Sequence, residues 1–297
     1  MSAAGISAVI PTLDGAATLP PLLAALRRAR ERLPLEIVAI DSGSRDATPG
    51  LLREAGARVL DLGGEPFGHG RTRNRAIAAA EGEIVVLLTQ DVEPVSDTWL
   101  DGLLAAVTEP NVAGAFGRQV PRGASPPEQY LAERNYGSSP RAITRADVRR
   151  FGPGATLFSS AFGALRRAAW REHPLPDIVM SEDQGWARAV LEAGWELRYV
   201  PEAEVYHGHR LSLARAFRRN FDSGSSLASL RLAGGAWRAG AAHVARELEW
   251  IGRRHGLGAV PGALLYEAVR LAGFQCGRLE RFLPGAVGRL LGEAPRA

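Results

Sequence analysis

Along the first half of the chain the apolar positions switch repeatedly between two patterns. ISAVI (6–10), LEIVAI (35–40), ARVLDL (57–62), EIVVLL (83–88) and VAGAFGRQV (112–120) are short, nearly continuous apolar runs that read as strands. Leucines at 19, 22, 23 and 26 carry the spacing of an amphipathic helix. Thr48 followed by Pro49 marks the N-cap and first residue of a second helix. Asp97 is placed to cap another, with Trp99, Leu100, Leu103, Leu104 and Val107 on its apolar face. Strands that are apolar on both faces and alternate with helices predict an α/β protein whose mostly parallel central sheet is flanked by helices.

The pattern weakens after residue 120. Residues 121–156 are rich in Pro, Gly and Arg with little periodicity, which predicts an active-site loop. LFSSAFGALRRAAW (157–170) reads as strand then helix. SEDQGWARAVLEAG (181–194) predicts a helix capped by Ser181, with Glu182 and Asp183 in its first turn and Gly194 at its end. WELRYVPEAEVYH (195–207) predicts two short strands around Pro201, and from about 211 only helices are expected. The expected division is an α/β domain over 1–210 and a helical extension over 211–297, with no internal repeat.

Composition narrows the class. An apolar fraction of 46% is that of a folded globular protein, and the single cysteine, Cys276, excludes an intrachain disulfide. The N-terminus lacks a basic segment before a long apolar stretch, and no run of about 18 apolar residues occurs, so a cytoplasmic protein without a membrane span is expected. All 36 basic residues are Arg, and they are unevenly spread. Residues 1–209 hold 22 Arg against 26 acidic residues, whereas residues 210–297 hold 14 against 6. A basic tail suggests an anionic partner, or simply a solvated helix face. In LARAFRRNF (213–221), Leu213, Ala214, Phe217 and Phe221 fall near one face among Arg215, Arg218 and Arg219. Such a helix can lie peripherally on the inner face of an anionic membrane. A cap on the sheet domain or a homodimer interface competes with that reading. The tail has no nucleic-acid motif and no clustered aromatics, so nucleic acid is not expected as a partner.

In parallel sheets ligands bind beyond the carboxyl ends of the strands, which singles out Pro11, Thr12, Asp41, Gln90 and Asp91. GHGRTR (68–73) has two glycines of a dinucleotide fingerprint but Arg73 where the third belongs, so a nicotinamide or flavin site is disfavoured. Asp41 can accept the N3–H of uracil or thymine, or serve as a turn carboxylate in DSGS. Asp91 can hold a divalent metal against a diphosphate, or form an Asx-turn before Pro94. Glu182 and Asp183 either complement the helix dipole or supply a general base for an alcohol acceptor. His207 and His209 share a strand face and can offer a metal ligand.

Taken in order, PTLDGAATL, AIDSGSRDAT, FGHGRTRN, LLTQDVEP, FSSAFGALRRAAW, SEDQGWARAVLEAGWELRYVPEAEVYHGH and FRRNFDSG resemble the inverting family 2 glycosyltransferases of the GT-A fold. The nearest likeness is to the bacterial rhamnosyltransferase-like branch, in which Thr-Gln-Asp replaces the usual acidic triplet, and it covers about residues 6–224. The resemblance implies a GT-A nucleotide-sugar-binding and catalytic domain. Pro11, Thr12 and Asp41 would hold base and ribose. Arg71, Asn74 and Gln90 would line the nucleotide-diphosphate pocket. Asp91 and His207 would bind Mg²⁺ or Mn²⁺, and Asp183, beside Glu182, would be the catalytic base. It further implies a dTDP- or UDP-sugar donor, carrying rhamnose or a similar sugar, and a glycan or lipid-linked acceptor. Gln90 leaves one carboxylate where two are usual, which points either to weaker metal binding or to a metal held mainly by the diphosphate. It also motivates the alternative of a catalytically weak or inactive scaffold that binds sugar nucleotides at the membrane.

Overall fold

The computed structural model describes residues 5–151, 156–208, 211–230 and 237–293. The chain divides into two compact units. The first comprises residues 1–120, 136–177 and 182–207, and the second comprises 121–135, 178–181 and 208–297. The break near 208 lies close to the expected 210/211 boundary, but two earlier segments join the second unit.

The first unit is built on strands β1 (Ile6–Thr12), β2 (Leu35–Asp41), β3 (Arg58–Asp61), β4 (Ile84–Leu88), β5 (Glu93–Pro94), β6 (Val112–Val120), β7 (Arg141–Ile143), β8 (Phe162–Arg166) and β9 (Glu196–Tyr206). They form one nine-stranded sheet in the order β3-β2-β1-β4-β8-β6-β9-β5, with β7 also pairing β9. β1 to β4, β6 and β9 point one way, and β5, β7 and β8 run against them. Helices α1 (Leu19–Arg30), α2 (Thr48–Glu54), α3 (His69–Ala79), α4 (Asp101–Thr108), α6 (Arg145–Phe151), α7 (Arg167–Glu172) and α8 (Glu182–Glu192) belong to this unit.

Strand β4 shows why the sequence gives no alternation there. Ile84, Val86 and Leu88 enter one core, with Leu22 and Leu26 of α1 and Trp99. Val85 and Leu87 enter the other, with Ile77 of α3 and Trp186 of α8. Successive side chains point to opposite faces and both faces are covered, so every position is apolar. Trp186 is fully buried, and truncating it to Ala would cost about 3–5 kcal/mol.

Several expectations change. β9 is one continuous strand through Pro201, because its register against β6 slips between Gly117 and Arg118, whose partners are Val200 and Glu204. The skipped residues form a bulge, where a proline without an N–H does no harm. The stretch expected as loop contains α5 (Pro126–Asn135), β7 and α6. Asp97 does not cap α4, which begins at Asp101; its carboxylate accepts instead from Arg28 Nε at 2.6 Å. Ser181 has φ of 66°, not the extended backbone of an N-cap.

Besides α5, the second unit comprises α9 (Leu213–Ser229), α10 (Trp237–His255), α11 (Val260–Arg278) and α12 (Gly285–Leu291), with short 3₁₀ turns at 257–259 and 280–282. The apolar face expected on 213–221 is partly covered: Leu213 and Ala214 are exposed, whereas Phe217 is half-buried. Phe221 is fully buried, and the Phe217 and Phe221 carbonyls lie 2.4 and 1.9 Å from where a Cβ on Gly273 and Gly277 would stand. Glycine lets α9 and α11 touch backbone to backbone.

Candidate active site

The carboxyl ends of β1, β2, β4, β6 and β9 share one edge of the sheet, and the loops that follow them are stitched together by side chains. The Asp41 carboxylate accepts from Thr12 Oγ1 (3.0 Å), Ser44 Oγ (2.6 Å), Gly43 N (3.1 Å) and Ser44 N (2.8 Å). Four donors fill the acceptor capacity of a carboxylate. A nucleobase N3–H reaching Asp41 would have to displace one of them. From the next turn Asp46 accepts from Ala16 N at 3.0 Å, and the Thr48 hydroxyl accepts from Gly15 N at 2.7 Å. Thr48 thus begins α2 while tying the loop after β1 to the loop after β2. Pro11 and the buried Thr12 stand at the tip of β1.

Gln90 explains itself through the same loop. Its Oε1 accepts from Leu13 N at 2.9 Å and its Nε2 donates to Leu13 O at 3.0 Å. An amide satisfies both backbone groups, whereas a carboxylate could only accept and would face the Leu13 carbonyl with like charge. Gly15 makes room, since a Cβ there would stand 2.6 Å from Gln90 Oε1.

Asp91 and His207 converge. Asp91 Oδ2 lies 3.7 Å from His207 Nε2, and both side chains are largely enclosed. The pairing of Glu93 with Tyr206 brings the two strand ends together. His207 Nδ1 is 2.7 Å from Gln119 Oε1, while Gln119 Nε2 donates to Tyr136 Oη (2.9 Å) and Ser159 Oγ (2.7 Å). With the amide in that orientation, Gln119 Oε1 faces Nδ1 of the ring, and Nε2 stands beside the Asp91 carboxylate. An oxygen and an imidazole nitrogen, with the ring oriented by a buried neighbour, form a donor set that fits a divalent cation. His209 lies outside the described residues.

Glu182 and Asp183 open α8 side by side. Glu182 is buried, accepts from Arg73 Nη1 at 3.1 Å and from Ser160 Oγ at 2.8 Å. Burial pushes its carboxyl up, but Arg73, His69 and the Ser160 hydroxyl outweigh burial and hold it below its ordinary value. Among the described residues Asp183 accepts from backbone N–H groups, Ser160 at 3.2 Å and Gln184 at 2.8 Å. Burial first, and then the Glu182 charge, push its carboxyl up to about 7. A carboxylate poised there is matched to take a proton near neutral pH.

The two remaining expected residues, Arg71 and Asn74, make these contacts. Arg71 Nε stands 3.4 Å from Asp177 in an exposed pair. Asn74 directs its amide at residues 170–175: Nδ2 donates to Leu175 O, and Oδ1 accepts from Trp170 Nε1 and Leu175 N. The site also uses residues that the sequence did not single out for it: Arg73, Gln119, Ser159 and Ser160. The sequence marked Arg73 only as the break in a glycine pattern. The one signal for Ser159 and Ser160 is their position just before β8.

Residues 7–173 match Glycosyl transferase family 2. The chain is 28% identical over 288 residues to the O-antigen chain rhamnosyltransferase RfbN of Salmonella typhimurium, covering 94% of this chain and 91% of that protein. It is 30% identical over 263 residues to the O-antigen chain rhamnosyltransferase WbaN of Salmonella anatum, covering 84% and 82%. Among solved structures it is similar to Staphylococcus aureus TarS 1–349 in complex with UDP-GlcNAc, with a TM-score of 0.60, 15% identity and coverage of 94% and 92%. It is likewise similar to the mannosyltransferase PcManGT of Pyrobaculum calidifontis in complex with GDP-Man and Mn²⁺, with a TM-score of 0.58, 20% identity and coverage of 97% and 81%. These structural likenesses bear on the fold, and they agree with a GT-A architecture.

Proposed function

The chain belongs to glycosyl transferase family 2, in its rhamnosyltransferase-like branch, and on that premise we propose that it moves rhamnose or a similar sugar from a dTDP- or UDP-sugar to a hydroxyl of a glycan or lipid-linked acceptor in O-antigen assembly. That it is a glycosyltransferase follows from the family; donor, acceptor and residue roles are our reading.

One observation carries the mechanism. Asp183 accepts from the Ser160 amide, the adjacent Ser159 hydroxyl accepts from Gln119, Gln119 Oε1 lies 2.7 Å from His207 Nδ1, and His207 Nε2 lies 3.7 Å from Asp91, so the base and the Asp91–His207 pair flank one stretch of chain. That arrangement supports a base and a diphosphate-side cluster acting on one substrate. Asp183 takes the acceptor hydroxyl proton as the new glycosidic bond forms. A single displacement inverts the anomeric carbon and needs one base, with no covalent sugar–enzyme intermediate. Glu182 stays ionised against Arg73 and raises the basicity of Asp183. Asp91 Oδ2 and His207 Nε2 would hold Mg²⁺ or Mn²⁺, which would supply positive charge to the departing diphosphate. The tied loops around Leu13, Asp41 and Thr48 form the floor for the nucleotide.

The scaffold alternative rests on Gln90. The paired bonds of Gln90 to Leu13 give that residue a structural reason to be an amide, so it no longer argues for lost chemistry. Calorimetric titration with dTDP-rhamnose, UDP-glucose and GDP-mannose, each with Mn²⁺ and with EDTA, tests the reading, with NMR of the product anomer as the second arm. Metal-dependent binding of a dTDP- or UDP-sugar and an inverted product are expected. Binding of GDP-mannose alone, or a retained anomer, would overturn it.

A further inference from the structure

The helical unit carries an apolar surface that the transferase reading does not use. On α11 the buried side contains Ala263, Tyr266, Glu267, Gly273 and Gly277. The opposite side is exposed at Pro261, Leu264, Leu265, Ala268, Leu271 and Ala272, and no charged residue interrupts it. At 100° per residue these positions fall within an arc of about 120°. Leu264 and Leu265 are 51% and 54% exposed. A surface helix normally turns charged residues to water, so this face lacks a partner among the described residues. Beyond its ends the exposure continues at Leu257 (81%) and Phe282 (69%), where the Arg281 guanidinium lies 4.6 Å from the Phe282 ring centre.

Charge decides what covers the face. The helical unit contains 16 Arg against 8 acidic residues, an excess of +8. Arg253 and Arg254 near Leu257 pair with Glu249 and Glu133 at the surface, and such exposed pairs leave the excess in place. Two copies with this excess repel when brought face to face, whereas an anionic lipid surface attracts each of them. Among the described residues no helix is long and apolar enough to cross a membrane. We infer that α11 docks the protein in the plane of an anionic phospholipid surface, with Leu264, Leu265 and Leu271 among the acyl chains and Arg281 at the headgroups. The docking does not rest on the transferase reading.

The test is co-sedimentation of the full chain with vesicles of phosphatidylcholine alone and of phosphatidylcholine mixed with phosphatidylglycerol, at low and high salt. It compares the native protein with the combined variant Leu264→Ser, Leu265→Ser, Leu271→Ser. The native protein should bind the mixed vesicles, lose binding as salt rises and bind the neutral vesicles weakly. The variant should bind the mixed vesicles at least about tenfold less. If the combined variant melts early, the three single variants carry the comparison. No binding at low salt, equal binding to both vesicle types, or unimpaired variants would overturn the inference. So would sedimentation equilibrium showing a native dimer that these substitutions dissociate, because a second copy would then cover the face.

Discussion

Two carboxyl pairs in this protein divide their charge in the same way. In the α/β unit, Arg73 holds Glu182 and the neighbouring Asp183 is pushed up to about 7. In the helical unit, Arg270 holds Glu267 and Glu247 is pushed up to about 8, by burial first and by the Glu267 charge second. By perturbation alone the second pair looks the more functional, and His243 beside it completes a trio whose ligand atoms lie within 4.8 Å of one another. The surroundings separate them. Arg134 Nη1 sits 2.7 Å from His243 Nδ1 and can only donate, so the proton of the neutral ring lies on Nε2, the atom 3.5 Å from Glu247. That nitrogen offers Glu247 a proton and offers a metal no lone pair. Asp183 instead accepts from Ser160 N–H, next to the Ser159 hydroxyl that holds Gln119 against His207, whose ring stands 3.7 Å from Asp91 at the strand ends. A shifted pKa marks burial near a like charge; the network around it tells whether chemistry follows.

The sharpest break of that comparison is Asp183→Asn. The amide still accepts from the Ser160 N–H but cannot take a proton, so kcat should fall about 10²–10⁴-fold while nucleotide affinity stays unchanged. Near-normal turnover would put the base elsewhere. Next comes Arg73→Met, which leaves Glu182 buried with an uncompensated charge and should cost about 3–5 kcal/mol in chemical denaturation. Adding Glu182→Gln should recover most of that loss, because the charge to be compensated is then gone. Smaller still is a shift in pH dependence. The base must be ionised, so kcat/KM should rise with pH through about 7 and then level off. Glu182→Gln removes the charge that helps to raise Asp183, so the rise should move to lower pH. An unmoved limb would show that the two carboxyls do not act as a pair.

What the sequence discloses follows from how local each feature is. The apolar runs of β1, β2 and β4 disclose a doubly covered sheet, the strand-end rule finds Asp41 and Asp91, and the acidic first turn of α8 together with the family resemblance points to Asp183, all without any contact being known. Gln119 stays hidden because its role depends on β6 lying beside β9, a pairing set by the antiparallel insertion of β8. Arg73 stays hidden because its partner is 109 residues away. The second pair fails to show for a related reason: His243 and Glu247 have helical spacing, but Glu267 reaches them only through the packing of α11. From about 211 the sequence discloses helices and not which side of each meets water, so the exposed leucines of α11 are not visible in it.

The smallest expected effect tests the helical pair by itself. Glu247 is fully buried beside Glu267, with His243 Nε2 3.5 Å away. Its folded pKa of about 8 lies above the ordinary value of 4.5. Between those values the folded chain binds a proton that the unfolded chain has released, so stability from this group is complete below about 4.5 and is lost as pH rises through 8. Tm should therefore decline between pH 5 and pH 9 and level off above it. Glu247→Gln keeps the shape of the protonated carboxyl and has no charge to release. It should flatten that decline and leave transfer activity unchanged. If the variant also abolishes transfer, the helical pair belongs to the chemistry and the two carboxyl pairs differ less than their surroundings indicate.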